Sequence, residues 1–387
     1  MPEQQTDLRS PGHADRLRRK TRQLFLRNVP IGGDAPITVQ SMTNTDTRDV
    51  RSTIEQIRRL QDVGCEIVRV AVPDMEAAKA LGVICRAASI PVVADIHFDH
   101  RLALEAIAQG VDGLRINPGN IGGRRKVREL VRHAVQRGVP IRIGVNSGSL
   151  ERHILEAEGG VTPNGMVQSA LHHVGILEEM GFRQIKISLK AADVRRTFEA
   201  YRLISERVDY PLHLGITEAG TPFYGTIKSA VGLGILLHQG IGDTIRVSLT
   251  ASPEEEVRVA YGILRALGLR HRGIEMISCP TCGRTQMSLI PVALEVERRL
   301  AHISLPLQVA VMGCVVNGPG EAREADLGIC GGKTGWLMFR KGNVIKRLKP
   351  DLIVEEFVEE VEAEARSRGW QPEKDTRESD KNLGRPS

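Results

Sequence analysis

Aromatic residues make up only 3% of the 387 positions. That scarcity removes the stacking surfaces on which single-stranded nucleic-acid modules depend. No apolar run approaches the ~18 residues that a membrane-spanning helix needs. The leading segment is polar and basic and has no apolar centre, so it does not read as a secretory signal. A cytoplasmic location is therefore expected, where thiols stay reduced and available to metals. No nicotinamide or flavin fingerprint is found. Nor does one sign of charge dominate, since 53 Lys and Arg face 47 Asp and Glu for a net charge of +6. Such a balance permits nucleic acid or an anionic substrate, and the placement of the basic residues decides between them.

What is present is 41% hydrophobic content, enough for a large domain and a smaller one. The six cysteines are unequal. Cys279-Pro-Thr-Cys282 places two thiols on one tight turn, and Cys314 opens Cys-Val-Val-Asn-Gly-Pro-Gly-Glu321. Cys279, Cys282, Cys314 and Glu321 are candidate ligands of one iron–sulfur centre. Three thiolates are one short of the usual set for a [4Fe–4S] cluster, and an iron without a thiolate can meet substrate. A zinc half-site or a redox pair remains open, and Cys330 could complete a four-cysteine zinc site. Its setting, Leu-Gly-Ile-Cys-Gly-Gly, is apolar and suits a buried thiol, as do those of Cys65 and Cys85.

The region before the cysteines alternates. Short β-branched runs at 37–40, 66–72, 92–96, 113–117, 141–146, 184–189, 212–217 and 244–249 predict strands. Helical periodicity predicts helices over 52–63, 75–88, 101–109, 126–136, 166–180, 192–206, 228–239 and 253–267. Gly64, Gly110, Gly138, Gly181, Gly240 and Gly268 stand where those helices should stop. Eight strand–helix units predict a TIM (β/α)8 barrel. A doubly wound sheet is disfavoured because no glycine-rich turn follows the first strand.

Side chains two apart on a strand share a face, and the polar residues obey that period. Arg115 pairs with Asn117, Arg142 with Asn146, Lys186 with Ser188 and Lys190, His213 with Thr217, and Arg246 with Ser248. Arg69 lies within the second strand, and Asp95 and His97 close the third. With reversed parity these charges would sit beneath helices, an expensive burial without partners. Convergence on the barrel mouth is the better reading, and such a set of Arg and Lys suits a diphosphate. The basic helix start Gly123-Arg-Arg-Lys-Val-Arg is read as a solvated face.

The organisation expected is a poorly ordered 1–22, a barrel over 23–268, a small α+β metal-centre domain over 269–367 and a poorly ordered 368–387. The second domain should hold a helix over 290–301, strands at 309–312, 325–329 and 336–339, and a helix over 351–367. Leu352, Val354, Phe357 and Val361 form the apolar side of that last helix. The short tether 267–275 favours a head-to-tail dimer.

Several segments together resemble the bacterial 4-hydroxy-3-methylbut-2-enyl diphosphate synthases, iron–sulfur enzymes of the methylerythritol phosphate isoprenoid pathway. They are Val39-Gln-Ser-Met-Thr-Asn44, Asp95-Ile-His97, Arg115-Ile-Asn-Pro-Gly-Asn120 and Gly144-Val-Asn-Ser-Gly148. Further along come Lys186-Ile-Ser-Leu-Lys190, His213-Leu-Gly-Ile-Thr-Glu-Ala-Gly220, Arg246-Val-Ser248, Cys279-Pro-Thr-Cys282 and Gly313-Cys-Val-Val-Asn-Gly-Pro-Gly-Glu321. The resemblance spans roughly residues 20–365. It implies a TIM barrel with a cluster domain like those of sulfite and nitrite reductases. It also implies a [4Fe–4S] cluster on Cys279, Cys282, Cys314 and Glu321, and a homodimer joining one barrel to the other subunit's cluster. The implied substrate is 2-C-methyl-D-erythritol 2,4-cyclodiphosphate, opened, reduced by two electrons and dehydroxylated, with ferredoxin or flavodoxin as donor. Arg69, Arg115, Arg142, Lys190 and Arg246 would hold the diphosphate, with Asp95, Asn117, Asn146, Thr217 and Ser248 completing the substrate site. Glu218 is the candidate proton donor, with pairing to an arginine as its alternative role. Asn317 is expected near the open iron, and His97 and His213 are left as candidate orienting residues.

Overall fold

The computed structural model describes residues 18–371, apart from 284, 286, 287, 315–319, 321, 333 and 334 and the side chains of 118 and 119. Asn317 and Glu321 thus lie outside the described residues. The chain forms two compact units that part between Arg270 and His271.

The first unit opens with a hairpin, β1 (Leu24–Leu26) and β2 (Val29–Ile31), turned through Arg27 at φ 52°. Strands β3 (Thr38–Met42), β4 (Ile67–Ala71), β5 (Val92–Asp95) and β6 (Gly113–Ile116) follow. Then come β7 (Ile141–Asn146), β8 (Ile185–Lys190), β9 (His213–Leu214) and β10 (Thr244–Ile245). The eight strands β3–β10 are ordered β8-β7-β6-β5-β4-β3-β10-β9, and their pairs are parallel. A parallel bridge from Ile187 to Leu212 joins the two ends, so the ladder closes on itself as the TIM barrel expected.

Between the strands run α1 (Val50–Asp62), α2 (Met75–Ala87), α3 (His100–Ala108), α4 (Pro118–Ile121) and α5 (Arg124–Arg137). The remainder are α6 (Arg152–Glu158), α7 (Pro163–Glu178), α8 (Val194–Ser205), α9 (Pro222–His238) and α10 (Pro253–Ala266). Asp49, Asp74, Asp99 and Asp193 each accept a backbone N–H in the first turn of the helix that follows. All the glycines expected as helix stops adopt positive φ. Helices and strands meet through one apolar core that includes Val39, Val68, Val70, Ala94, Leu114, Ile143, Ile187 and Leu214.

Three features depart from the sequence reading. The hairpin, α4 and α6 were not anticipated. β9 and β10 are only two residues long, because the chain leaves the ladder where Gly215 passes under the Arg246 carbonyl. A Cβ at Gly215 would lie 2.7 Å from that oxygen. Residues 18–22 are tied down: Arg18 binds Asp243 at 3.1 Å, Thr21 binds the same carboxylate at 3.0 Å, and Arg19 reaches the Tyr210 carbonyl at 2.6 Å. The hairpin then packs Leu24, Leu26 and Ile31 onto Ile67 and Val93, at the lower end of the barrel.

The second unit has a five-stranded sheet, β11 (Ile274–Ser278), β12 (Leu307–Met312), β13 (Leu327–Gly332), β14 (Gly335–Arg340) and β15 (Asn343–Arg347), in sequential order. β11–β13 are parallel, and the rest form an antiparallel meander. Helices α11 (Leu289–Leu300) and α12 (Ile353–Ser367) pack on it through Val296, Leu300, Phe357 and Val361. Leu352, expected on that apolar side, is 41% exposed because it precedes the helix in a 3₁₀ turn.

Candidate active site

On each barrel strand one set of alternate residues joins the apolar core and the other points inward. On β7, Ile141, Ile143 and Val145 are core while Arg142, Gly144 and Asn146 alternate with them; on β8, Ile185, Ile187 and Leu189 flank Lys186 and Ser188. The ladders set the inward residues side by side: Asp95 beside Arg115, Arg115 beside Arg142, Arg142 beside Lys186, and Asn146 beside Lys190. Arg69, Asp95, Arg115, Asn117, Arg142, Lys186, Lys190 and His213 are all buried. Asn146, Thr217, Arg246 and Ser248 are half-buried at the upper ends of their strands.

Asp95 organises one side of this interior. It takes Arg115 Nη1 at 3.2 Å and lies 3.6 Å from Arg69 Nε and from His97 Nε2. Arg115 also meets His97 Nε2 at 3.0 Å, so His97 joins the group at the rim. Burial alone would raise the Asp95 pKa, but Arg69, His97 and Arg115 hold it well below the ordinary carboxylate range. Arg69 further directs Nε and Nη2 at the Met42 thioether, 3.1 and 2.9 Å away.

The other side carries Lys190, His213 and Arg246. Lys190 Nζ stands 3.3 Å from His213 Nε2, and His213 Nδ1 stands 2.5 Å from Thr244 Oγ1. When Lys190 is protonated it only donates, so Nε2 then accepts and Nδ1 carries the hydrogen given to Thr244. Burial, then Arg142 and Lys190, depress the His213 pKa well below its ordinary value, in keeping with a neutral ring. Tyr201 donates to the His213 carbonyl from behind and accepts from the Leu189 N–H at 3.0 Å, fixing β8 against β9. Arg246 is approached by Glu256 of α10 at 3.5 Å, and that carboxylate also accepts from Ser41 Oγ at 3.1 Å and Leu249 N at 3.0 Å.

The cations are not balanced. Among the described residues, Arg115 Nε, Arg142 Nε and Nη1, Lys186 Nζ and Arg246 Nε are buried and without a partner. Burial and neighbouring arginines push Arg69 down to about 10 and Lys186 to about 7, and depress Arg142 and Lys190 strongly. Buried donors without acceptors cost stability unless a ligand supplies the acceptors. A compact multi-anion does so, which turns the penalty into binding free energy. Two glycines keep the space open. A Cβ at Gly144 would meet Arg115 Nε at 2.5 Å, and one at Gly215 would meet Lys190 Nζ at 2.5 Å.

Glu218 follows Thr217 past the end of β9, exposed and at φ 51°. A non-glycine residue in that region is strained by ~1 kcal/mol or more, as functional residues often are. Met42, Glu256, Gly144 and Gly215 belong to the site without having been assigned roles in it. Met42, Gly144 and Gly215 lie within the segments that carry the family resemblance, and Glu256 stands in the acidic first turn Glu254–Glu256 after the eighth strand.

In the second unit, Cys279 follows β11 and Cys314 follows β12 at the same end of a parallel pair, where Ser278 aligns with Val311. The Gly313 N–H donates to Cys279 Sγ at 3.2 Å, which brings Cys279 beside the Cys314 turn. Cys282 lies exposed in the intervening turn, where its N–H donates to Thr285 Oγ1 at 3.1 Å. Cys330 is wholly buried on β13, its thiol pushed up to about 11 by burial and by Cys314. Among the described residues no three Cys, His, Asp or Glu side chains converge on one point. The donor set nevertheless fits an iron–sulfur centre: Cys279 and Cys314 follow neighbouring strands at the same end, with Cys282 in the turn after Cys279.

Known proteins match this arrangement in order. The GcpE TIM-barrel domain matches residues 21–261, and the GcpE protein C-terminal domain matches residues 275–363. A relative from Geobacter sulfurreducens is 62% identical over 89% of this chain and 98% of its own length. Relatives from Caldanaerobacter subterraneus and Symbiobacterium thermophilum are 58% and 60% identical, each over 90% of this chain and over 98% and 94% of their own. All three bear the name 4-hydroxy-3-methylbut-2-en-1-yl diphosphate synthase (flavodoxin). With both family domains present in sequence and relatives this similar from end to end, the chain belongs to the GcpE family.

Proposed function

We propose that this protein is an oxidoreductase of isoprenoid biosynthesis, converting 2-C-methyl-D-erythritol 2,4-cyclodiphosphate to (E)-4-hydroxy-3-methylbut-2-enyl diphosphate. The reaction opens the ring at a C–O bond, takes up two electrons and two protons, and releases one water. The observation that carries this reading is the set of buried nitrogens without a partner on Arg115, Arg142, Lys186 and Arg246, among the described residues. Arg115, Arg142, Lys190 and Arg246 donate to the diphosphate oxygens. Arg69 is oriented by Asp95, while Asn117, Asn146, Thr217 and Ser248 bind the polar rim of the substrate. Asp95 has a second task, preventing Arg69 and Arg115 from collapsing onto other acceptors. His213, neutral and anchored by Thr244, holds Lys190 without competing for its charge. Glu218 delivers the proton to the departing hydroxyl.

Cys279, Cys282, Cys314 and Glu321 would hold a [4Fe–4S] cluster, which supplies electrons and a Lewis-acidic iron when bound. Asn317 is assigned to the vicinity of that iron. The donor proposed is a flavodoxin, the one named with the relatives. The active assembly is a homodimer, and the protein is cytoplasmic. Among the described residues no helix is long and apolar enough to cross a membrane.

Anaerobic purification with iron and sulfide analysis, followed by thermal melts with and without the cyclic diphosphate, tests the reading. About four irons per chain and a substrate-dependent rise in melting temperature are expected. A colourless zinc protein would remove the redox chemistry, and a melt unmoved by substrate would remove the anion site.

A further inference from the structure

Helix α5 carries nearly the whole net charge of the chain. Its 14 residues set Arg124, Arg125, Lys126, Arg128, Arg132 and Arg137 against Glu129, a net of +5, where the entire chain has +6. All six basic residues are exposed. A solvated helix face commonly neutralises itself through pairs one turn apart. Helix α8 does so, with Arg195 to Glu199 at 3.1 Å and Arg202 to Glu206 at 3.2 Å. On α5, among the described residues, only Arg124 has an ion-pair partner, Glu179 at the end of α7.

The charge is also placed against the helix itself. Arg124, Arg125 and Lys126 fill the first turn, where the positive end of the macrodipole favours acids. That turn holds no acidic residue, and no side chain caps it. Arg124, Arg128 and Arg132 then follow one another at i,i+4, the spacing at which like charges repel. An acidic surface laid along α5 offsets both costs at once.

The position of the helix says which acidic surface. α5 starts at the barrel mouth, shortly after Arg115 of β6 and Asn117, which belong to the substrate site. The two electrons of each turnover are consumed at that mouth and come from outside the chain. A carrier has to arrive, hand over its electron and leave. Exposed charge suits such an encounter, because it speeds association without the apolar area that makes a complex persist. Nucleic acid is the poorer fit, since α5 presents no aromatic side chain for a base to stack on.

We infer that the exposed basic face of α5 is the docking surface for an acidic electron carrier, the flavodoxin proposed above. The inference rests on the proposed function and adds to it the surface by which the donor is recognised.

The test uses the full-length, cluster-loaded protein with the cyclic diphosphate and either reduced flavodoxin or reduced methyl viologen, a small mediator that needs no docking face. Combining Arg125→Glu, Arg128→Glu and Arg132→Glu should raise KM for flavodoxin by about tenfold or more at low salt. The same protein should keep its KM for the cyclic diphosphate and its viologen-driven rate. Added salt should raise the flavodoxin KM of the wild type steeply and that of the variant little. Arg195→Glu with Arg202→Glu, on α8, should leave the flavodoxin KM unchanged. Acids in the first turns suit the helix, so the melting temperature of the α5 variant should hold or rise. Glutamine at the same three positions gives a second variant, with a smaller rise in KM expected. An unchanged flavodoxin KM in both α5 variants would overturn the docking surface and leave the reaction standing. Equal losses with flavodoxin and viologen would also overturn it, since α5 would then serve the fold alone. A wild type inert with both reductants would overturn the reaction itself. Retention of a short DNA duplex by the wild type, lost in the Glu variant while its flavodoxin KM stays unchanged, would assign the face to nucleic acid instead.

Discussion

Arg142 shows how a single residue can serve function at the expense of stability. It is buried beside Arg115 and Lys186, and two of its nitrogens lack a partner. Arg142→Met should raise the melting temperature of the substrate-free protein by several degrees and raise KM by tenfold or more, because the same groups that destabilise the empty barrel bind the substrate. Unchanged melting and KM would take Arg142 out of the anion site. Glu218→Gln should lower kcat by a factor of ~10²–10⁴ with KM and cluster spectrum little altered, as loss of a proton donor predicts. His213 gives a sharper discrimination. His213→Gln keeps an acceptor for Lys190 and should retain much of the activity, whereas His213→Leu should raise KM strongly. Equal loss in both would mean that His213 acts by packing alone.

At the scale of the element, β7 carries the clearest prediction. Gly144 adopts ordinary extended backbone, so alanine fits the chain, yet its Cβ would collide with the far end of Arg115. Gly144→Ala should therefore raise KM with little loss of stability, read by steady-state kinetics beside a thermal melt. This site was partly legible in the sequence. The period-two recurrence of Arg115, Arg142, Lys186 and Lys190 inside apolar runs could be read because a strand has only two faces and the alternate face is unbroken Ile, Leu and Val. The partners of those residues could not. Met42 lies 27 positions from Arg69, and Glu256 and Ser41 are 215 apart. Contacts at such separations follow from closure of the barrel, not from local pattern. The hairpin at 24–31 was hidden because Pro30 and the Arg27-Asn28 turn lack the usual Asn-Gly signal. β9 and β10 were read too long because apolar β-branched residues continue past the point where Gly215 takes the chain out of the ladder.

For the whole molecule, the uncompensated charge makes pH and ligand one linked variable. Lys186 titrates near 10.5 when unfolded and near 7 when folded. Above pH 10.5 it is neutral in both states. As pH falls from 10.5 towards 7 the unfolded chain protonates first, so this lysine's contribution to stability declines across that window and levels off below it. The substrate-free protein should lose melting temperature between pH 9 and pH 7, and Lys186→Met should flatten that slope. A diphosphate favours the charged lysine, so binding near pH 8 should take up protons, read as a dependence of the calorimetric enthalpy on buffer ionisation heat. No uptake would mean that Lys186 lies beyond the influence of the anion.

The most direct measurement is anaerobic turnover of the cyclic diphosphate by cluster-loaded protein, with a known amount of reduced flavodoxin as the sole electron source. The account predicts one molecule of (E)-4-hydroxy-3-methylbut-2-enyl diphosphate for every two electrons consumed. Recovery of intact cyclic diphosphate, from protein that carries its full iron and binds the substrate, would contradict it.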